Sequence, residues 1–337
     1  MRTKTSLALS LLLATAMTAA AAVPDMALDH AGTLYQLTNN GTQLILSVRS
    51  PGGDPPRLIA VPQTAGYQTS ALSVSLDRPN KTAVLAWQEN LGPGLSRVMV
   101  ATYHEGTWFG PLSVSETGAG GVSAINPVLL VHRSTLADAD GNPYQQAFIH
   151  LAWWADPDAP DGGYAMYAYM RLNADGTPIL SDLHPEELHS SMPYGLSCSL
   201  LDHAATFAHP KLIIDPQTGD PQLLFADLDQ CLLTVIDLHP DTGDHDGEPS
   251  ATAQRKRNVI VFGVRKQIFV TPTLPFDHAE IAIGHNLSVV MYWDTDGAID
   301  YVTMDDQKTS DISSIPLGEG LNHEKAVQLI DRLVEAQ

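Results

Sequence analysis

The stretch "FAHPKLIIDPQTGDPQLLFADLDQ", residues 207–230, recurs in altered form along the chain. Each version sets a polar residue beside a small residue or proline and follows it with an alternating apolar run. A turn comes next, and a second apolar run closes on an aromatic. The relatives are "TSALSVSLDRPNKTAVLAWQE" from Thr69, "INPVLLVHRS" from Ile125 with "QQAFIHLAWWAD" after an insertion, and "DHAEIAIGHNLSVVMYWD" from Asp277. Aligned on their heads they superimpose Ser70, Asn126, His209 and His278; aligned on their ends they superimpose Trp87, Trp153, Phe225 and Trp293. Head and aromatic stand 17, 16 and 15 residues apart in the three copies without the insertion. A recurrence of this kind signals one supersecondary unit copied along the chain, each copy burying its apolar face on a neighbour.

Every copy continues with two more runs, for example "SRVMVATYHEG" then "TWFGPLSVS", "YAMYAYMRLNADG" then "TPILSDL", and "CLLTVIDLHPDTG" then "KQIFVTP". Alternation at period two, rich in Val, Ile, Tyr and Trp and bounded by Gly, Asp, Asn and Pro, predicts strands. Four short antiparallel strands per unit predict a propeller blade. The segment from Asp29 opens with the same Asp-His-Ala as the last copy, reads as a shortened first unit of three strands, and places His30 with His278. The expectation is an all-β chain, a β-propeller of about five four-stranded blades over residues 23–320, with six blades or a split sandwich as alternatives. In "NHEKAVQLIDRLVEA" the period changes: Ala326, Leu329, Ile330 and Leu333 share a helical face behind an Asn322 cap, predicting a short C-terminal α-helix over residues 321–337.

Arg2 and Lys4 precede an apolar stretch ending in alanines, the pattern of a signal peptide over residues 1–22. The mature chain is then expected to be exported, periplasmic or extracellular, with no membrane insertion after cleavage. The full chain carries 18 Lys and Arg against 38 Asp and Glu, a formal net charge of −20, which argues against nucleic-acid partners. In an oxidising compartment Cys198 and Cys231 are expected to pair.

The polar-Pro start of the copies, their Ala-Trp or Tyr-Trp ends and the turn at Gly106, Thr107 and Trp108 resemble the sialidase-like, Asp-box type of β-propeller. "YHEGTWFGP" keeps the Thr-Trp pair of the box without its Asp and Gly spacing. The resemblance implies a propeller fold and, in sialidases, three arginines on the substrate carboxylate with a Tyr-Glu pair and an acidic Asp. Arg97, Arg171 and Arg265 fall on the third strand of a unit or at its end, away from the heads of the first strands, so the sialidase chemistry does not carry over.

First strands of a propeller line its channel, so the heads His30, Ser70, Asn126, His209 and His278 are expected to form a ring at one mouth and to bind ligand there. Neutral imidazoles on His30, His209 and His278 would suit a transition metal, against the alternative that each head caps a backbone group. His184, His189 and His203 cluster with Cys198 in a segment expected to be a long loop between units. Acidic turns at Asp138, Asp156, Asp244 and Asp294 read either as tight-turn chemistry or as structural calcium ligands. The repeated aromatics are expected to pack between units, which leaves Trp108 and Trp154 as candidates for a ligand surface. The reading is a recognition scaffold for a glycan, protein or small ligand; a glycoside hydrolase in the central pocket is the second reading, and a metal-binding protein the third.

Overall fold

The computed structural model describes residues 25–41, 43–115, 123–138, 140–155, 164–179, 195–196, 211–215, 218–227, 232–240, 260–269, 280–283, 289–304, 309–318 and 320–335. Residues 1–22, both cysteines, His184, His189, His203, His209, His278, and the acidic turns at Asp156 and Asp244 lie outside the described residues.

The described chain is all-β with one helix, and its twenty strands form five four-stranded antiparallel sheets. Sheet one holds β1 (Asp25–Leu28), β2 (Leu34–Asn39), β3 (Leu44–Arg49) and β4 (Arg57–Ala60). Sheet two holds β5 (Gln68–Asp77), β6 (Thr82–Gly92), β7 (Leu95–His104) and β8 (Thr107–Ser113). Sheet three holds β9 (Ala124–Ala137), β10 (Pro143–Ala155), β11 (Tyr164–Leu172) and β12 (Gly195–Leu196). Sheet four holds β13 (Lys211–Ile214), β14 (Pro221–Asp227), β15 (Leu232–Pro240) and β16 (Ile260–Phe269). Sheet five holds β17 (Glu280–Ile283), β18 (Val289–Thr295), β19 (Ala298–Met304) and β20 (Ser313–Pro316), followed by α1 (His323–Glu335). In every sheet the strands lie in chain order, each paired with the next.

Alternation decides what each face covers. In β6 the odd residues Ala83, Leu85 and Trp87 turn toward Leu37, Leu44 and Leu46 of sheet one. The even residues Val84 and Ala86 join Ile149, Leu151 and Trp153 of sheet three. The opposite face of β10 carries Phe148 and Ala152 against Leu223 and Leu238 of sheet four. Sheets two and three are therefore apolar on both faces, and their second strands read as continuous apolar runs because each is covered from two sides. Burying one such large side chain contributes about 1.5–3 kcal/mol. Trp87, Trp153 and Trp293 occupy the second strands and are buried, which is the packing role expected for the repeated aromatics.

The turns explain a misleading repeat. Asp29, Asp138 and Asn173 each accept from the N–H three residues on and donate to the carbonyl four on, and Gly32, Gly141 and Gly176 take the positive φ that this three-residue hairpin loop needs. Asp29-His-Ala-Gly is thus the β1–β2 turn, whereas Asp277-His-Ala is followed by Glu280, the first residue of β17. The shared tripeptide does not mark equivalent places. The first sheet is complete with four strands, beginning at Asp25 rather than after His30.

A second correction concerns sheet three. Its fourth strand is Gly195–Leu196, paired with Met166 and Ala165, and not "TPILSDL", of which Pro178 makes one isolated bridge to Leu172. Part of the segment expected to be an inter-unit loop therefore belongs to a sheet. At the chain's end Asn322 caps α1 as expected, its Oδ1 accepting from the Lys325 N–H at 3.1 Å. Ala326 and Ile330 are buried against Val290 and Ile299 of sheet five, while Leu329 is exposed.

Candidate functional site

The first strands of sheets one to four meet along one groove of about 460 Å³, lined by Met26 to Leu28 and His30, by Val74 to Pro79, by Leu130 to Arg133, and by Ile214. Each first strand is the free edge of its sheet, so half of its N–H groups have no ladder partner. The preceding sheet supplies the acceptors. Asp25 Oδ2 accepts from the Val74 N–H at 2.7 Å. Ser73 and Ser75 Oγ accept from the N–H groups of Leu129 at 3.1 Å and Val131 at 2.8 Å. Asp77, two residues further on the same face of β5, takes two hydrogen bonds of 2.7 Å from Arg133 on β9. A Ser-x-Ser-x-Asp run thus serves the edge of the next sheet.

Asp77 is fully buried and the Arg133 side chain a quarter exposed. The hydrogen bonds that Arg133 donates to Asp77 hold its guanidinium even more firmly protonated than usual, against the opposing effect of burial. Arg78 follows in the β5–β6 turn, exposed and without an ion pair among the described residues. His30 is exposed at the rim in the β1–β2 turn. His132 on β9 is half-buried; burial lowers its pKa, opposed by a hydrogen bond to the Gly219 carbonyl and by the charge of Asp220.

Behind His132, on the face of sheet three that meets sheet four, stands His150, fully buried. Burial first, then the neighbouring His132, push its pKa down to about 3, so the ring is neutral at physiological pH. Its Nδ1 shares a 2.6 Å hydrogen bond with the Tyr167 hydroxyl, while Nε2 has no hydrogen-bond partner. The His150 and Tyr167 rings stack with centroids 6.1 Å apart.

Of the expected ring of heads, Ser70, Asn126 and His30 are among the described residues. Ser70 lies opposite Gln88 near the start of β5, and Gln88 Oε1 accepts from the Asn126 N–H at 3.2 Å, so these two heads are neighbours. They are not equivalent, however: the β-bulge of β5 falls at Ala71 (φ +44) and that of β9 at Asn126 (φ +52), which pairs Ser70 with Ile125 in the repeat. His30 sits at the other end of its sheet, beyond the C-terminal end of β1 and on the groove. The polar lining of the groove thus comes from the C-terminal halves of the first strands. Three-imidazole metal binding depended on His30 meeting His209 and His278; the last two are not described, and among the described residues no group of three His, Cys, Asp or Glu is arranged to hold a metal.

Of the two tryptophans proposed for a ligand surface, Trp154 is buried and Trp108 is partly buried. Trp154 is 7% exposed, and Trp108 packs at 4.8 Å on Tyr103 at the edge of the core between sheets one and two. At Asp138 the acidic turn is satisfied internally: its carboxylate accepts from the N–H groups of Asp140 and Asn142, which holds it ionised below the usual carboxylate range. Of the arginines placed on third strands, Arg97 and Arg171 are there, on β7 and β11, and Arg265 is on β16, a fourth strand. Arg78, His132 and Arg133 were missed. The signal for them was the polar close of an apolar run, "SLDRP" and "LVHRS", at matching points of two copies.

Sequential four-stranded antiparallel sheets whose first strands share a polar groove define an all-β repeat scaffold. No family model matches the chain, and no curated protein does. Among solved structures it is similar to a Hadza microbial sialidase at 10% identity, over 84% of this chain and 56% of that one, with a TM-score of 0.37. It is similar to the intramolecular trans-sialidase from Ruminococcus gnavus at 10% identity, over 89% of this chain and 71% of that one, TM-score 0.31. A fucose lectin from Kordia zhangzhouensis matches at 12% identity, over 46% of this chain and 94% of that one, TM-score 0.25. The chain spans little more than half the length of the Hadza sialidase.

Proposed function

We propose that this protein is an exported recognition scaffold of the propeller type, whose five sheets close around the groove and whose ligand, a glycan, a protein segment or a small molecule, is held there. The supporting observation is the convergence of four first strands on one groove, with His30, Arg78, His132 and Arg133 together on its wall. Concave sites of this size with a few placed polar groups are the usual form of a ligand pocket. The hydrolase reading needs two carboxylates about 5 to 9.5 Å apart. Among the described lining residues the only carboxylate is Asp77, and both its oxygens are engaged by Arg133. Among the described residues no helix is long and apolar enough to cross a membrane, and export rests on the leader pattern alone.

The test is to screen the mature chain against a glycan array and a soluble-ligand library, alongside Leu130→Trp, which fills the groove. Binding is expected to be lost in the variant. Undiminished binding by Leu130→Trp would put the ligand elsewhere and sink the reading. N-terminal sequencing of the secreted protein is expected to begin at Val23.

A further inference from the structure

We propose that the groove takes a small anionic amphiphile, a carboxylate joined to a compact apolar body; this rests on the groove being the ligand site. The first observation is an inversion of charge. Over the whole chain acids outnumber Lys and Arg by 38 to 18, so most of the surface repels anions. Along the groove the balance differs: the single described acid, Asp77, and Arg133 cancel one another, which leaves Arg78 as the uncompensated charge, with the His30 and His132 rings beside it. Arg78 keeps its planar fork of donors free of any ion pair among the described residues, at the exposed β5–β6 turn where a carboxylate entering the groove would meet it. A concave wall concentrates that field on whatever enters.

The second observation is independent of charge. Eight large apolar side chains are exposed among the described residues, and three of them, Met26, Leu28 and Ile214, line this one groove. Met26 and Leu28 alternate onto the open face of β1, and Leu130 shares the face of β9 that carries His132. An edge strand left facing water is ordinarily guarded by charge, and clustered exposed apolar side chains on a soluble chain mark a surface meant to be covered. A sugar would be better served by flat aromatic rings and dense hydrogen bonding. The described lining holds no Trp, Tyr or Phe, and its Ser75 is engaged by the Val131 N–H. An apolar body lying over Met26, Leu28 and Ile214 with its carboxylate on Arg78 satisfies both halves of the wall, and about 460 Å³ suits a ligand of that size.

Octanoate and its neutral counterpart octanol are suitable probes, titrated calorimetrically into the mature chain. One saturable octanoate site is expected, weakened about tenfold by Arg78→Ala. Octanol is expected to bind more weakly and to change less than about twofold in the same variant, and Leu28→Asp is expected to weaken both probes. Arg78→Lys, which keeps the charge without the fork, should fall between wild type and Arg78→Ala. Both Arg78 variants change an exposed turn residue, and unchanged thermal melts would show that folding is intact. Lack of saturable octanoate binding, or binding indifferent to Arg78→Ala, overturns the proposal. If octanoate fails while a glycan binds and is blocked by Leu130→Trp, the groove stands as the site and the amphiphile is wrong. If octanoate binds and is untouched by both Leu130→Trp and Arg78→Ala, both readings fall. Sedimentation with anionic vesicles in the absence of octanoate binding also overturns it, in favour of a membrane surface.

Discussion

Sheet two carries two carboxylate–guanidinium pairs that look alike and serve different ends. Glu89 and Asp77 are both fully buried acids, and each is gripped by the Nε and one Nη of an arginine that is a fifth to a quarter exposed. Glu89 on β6 faces Arg97 on β7, its register partner within the sheet. It also accepts from Trp87 Nε1 at 3.3 Å and the Thr64 N–H at 3.1 Å, while Arg97 reaches Thr64 Oγ1 at 3.0 Å and lies over the Tyr67 ring. Asp77 has one partner, on another sheet and on the groove. One pair is a knot that pins the link between sheets one and two. The other is a single bolt between sheets two and three. Burial and hydrogen-bond geometry alone therefore do not tell what an ion pair is for; the number of other groups that depend on it does.

The largest effect is expected where most depends on one acid. Glu89→Ala should cost about 3–5 kcal/mol in urea unfolding, because it strands Arg97, Trp87 Nε1 and the Thr64 N–H together. Asp77→Ala should cost less, about 2–3 kcal/mol, since Arg133 can turn to water. If the two losses are equal, the distinction between knot and bolt is wrong.

A pH titration tests the next junction along, between sheets three and four. The folded pKa of His150, about 3, lies below the roughly 6.5 of an unfolded histidine. Between these values the unfolded chain binds more protons, so stability is full above about pH 6.5 and is lost as pH falls toward 3, by up to about 1.4 kcal/mol per unit. Replacing it by His150→Gln should flatten that slope in urea midpoints measured from pH 7 to 4, whereas Glu89→Ala should leave the His150 contribution in place. The smallest effect belongs to one edge cap: Ser75→Ala, which leaves the Val131 N–H without its acceptor, should cost about 1 kcal/mol by thermal or urea unfolding.

Much of this architecture was legible in the chain itself. Alternation placed the second and third strands, the spacing of Trp87, Trp153 and Trp293 marked one buried position per unit, and Asn322 announced the helix. What escaped had physical causes. β1 is four residues long, too short for a period to show. Asp-His-Ala served once as a turn and once before a strand, and only the Gly or Glu that follows separates the two. Gly195–Leu196 is a strand by virtue of its partner and not its composition. The polar heads are conspicuous in the sequence, whereas Arg133 and Asp77 are polar residues ending apolar runs. Their roles depend on which neighbouring sheet each side chain reaches, and no local pattern reports that.

The side-chain caps on the first strands run one way. Asp25 serves sheet two, and Ser73, Ser75 and Asp77 serve sheet three, so at these two junctions the earlier sheet presents finished acceptors to the one that follows it in the chain. As the polypeptide is made from its N-terminus, β5 and β9 would each arrive at an edge whose acceptors are already in place. Such a molecule has a grain. Removing a unit from its end should leave the earlier sheets capped as before, while removing one from its beginning takes away the acceptors on which the next was laid.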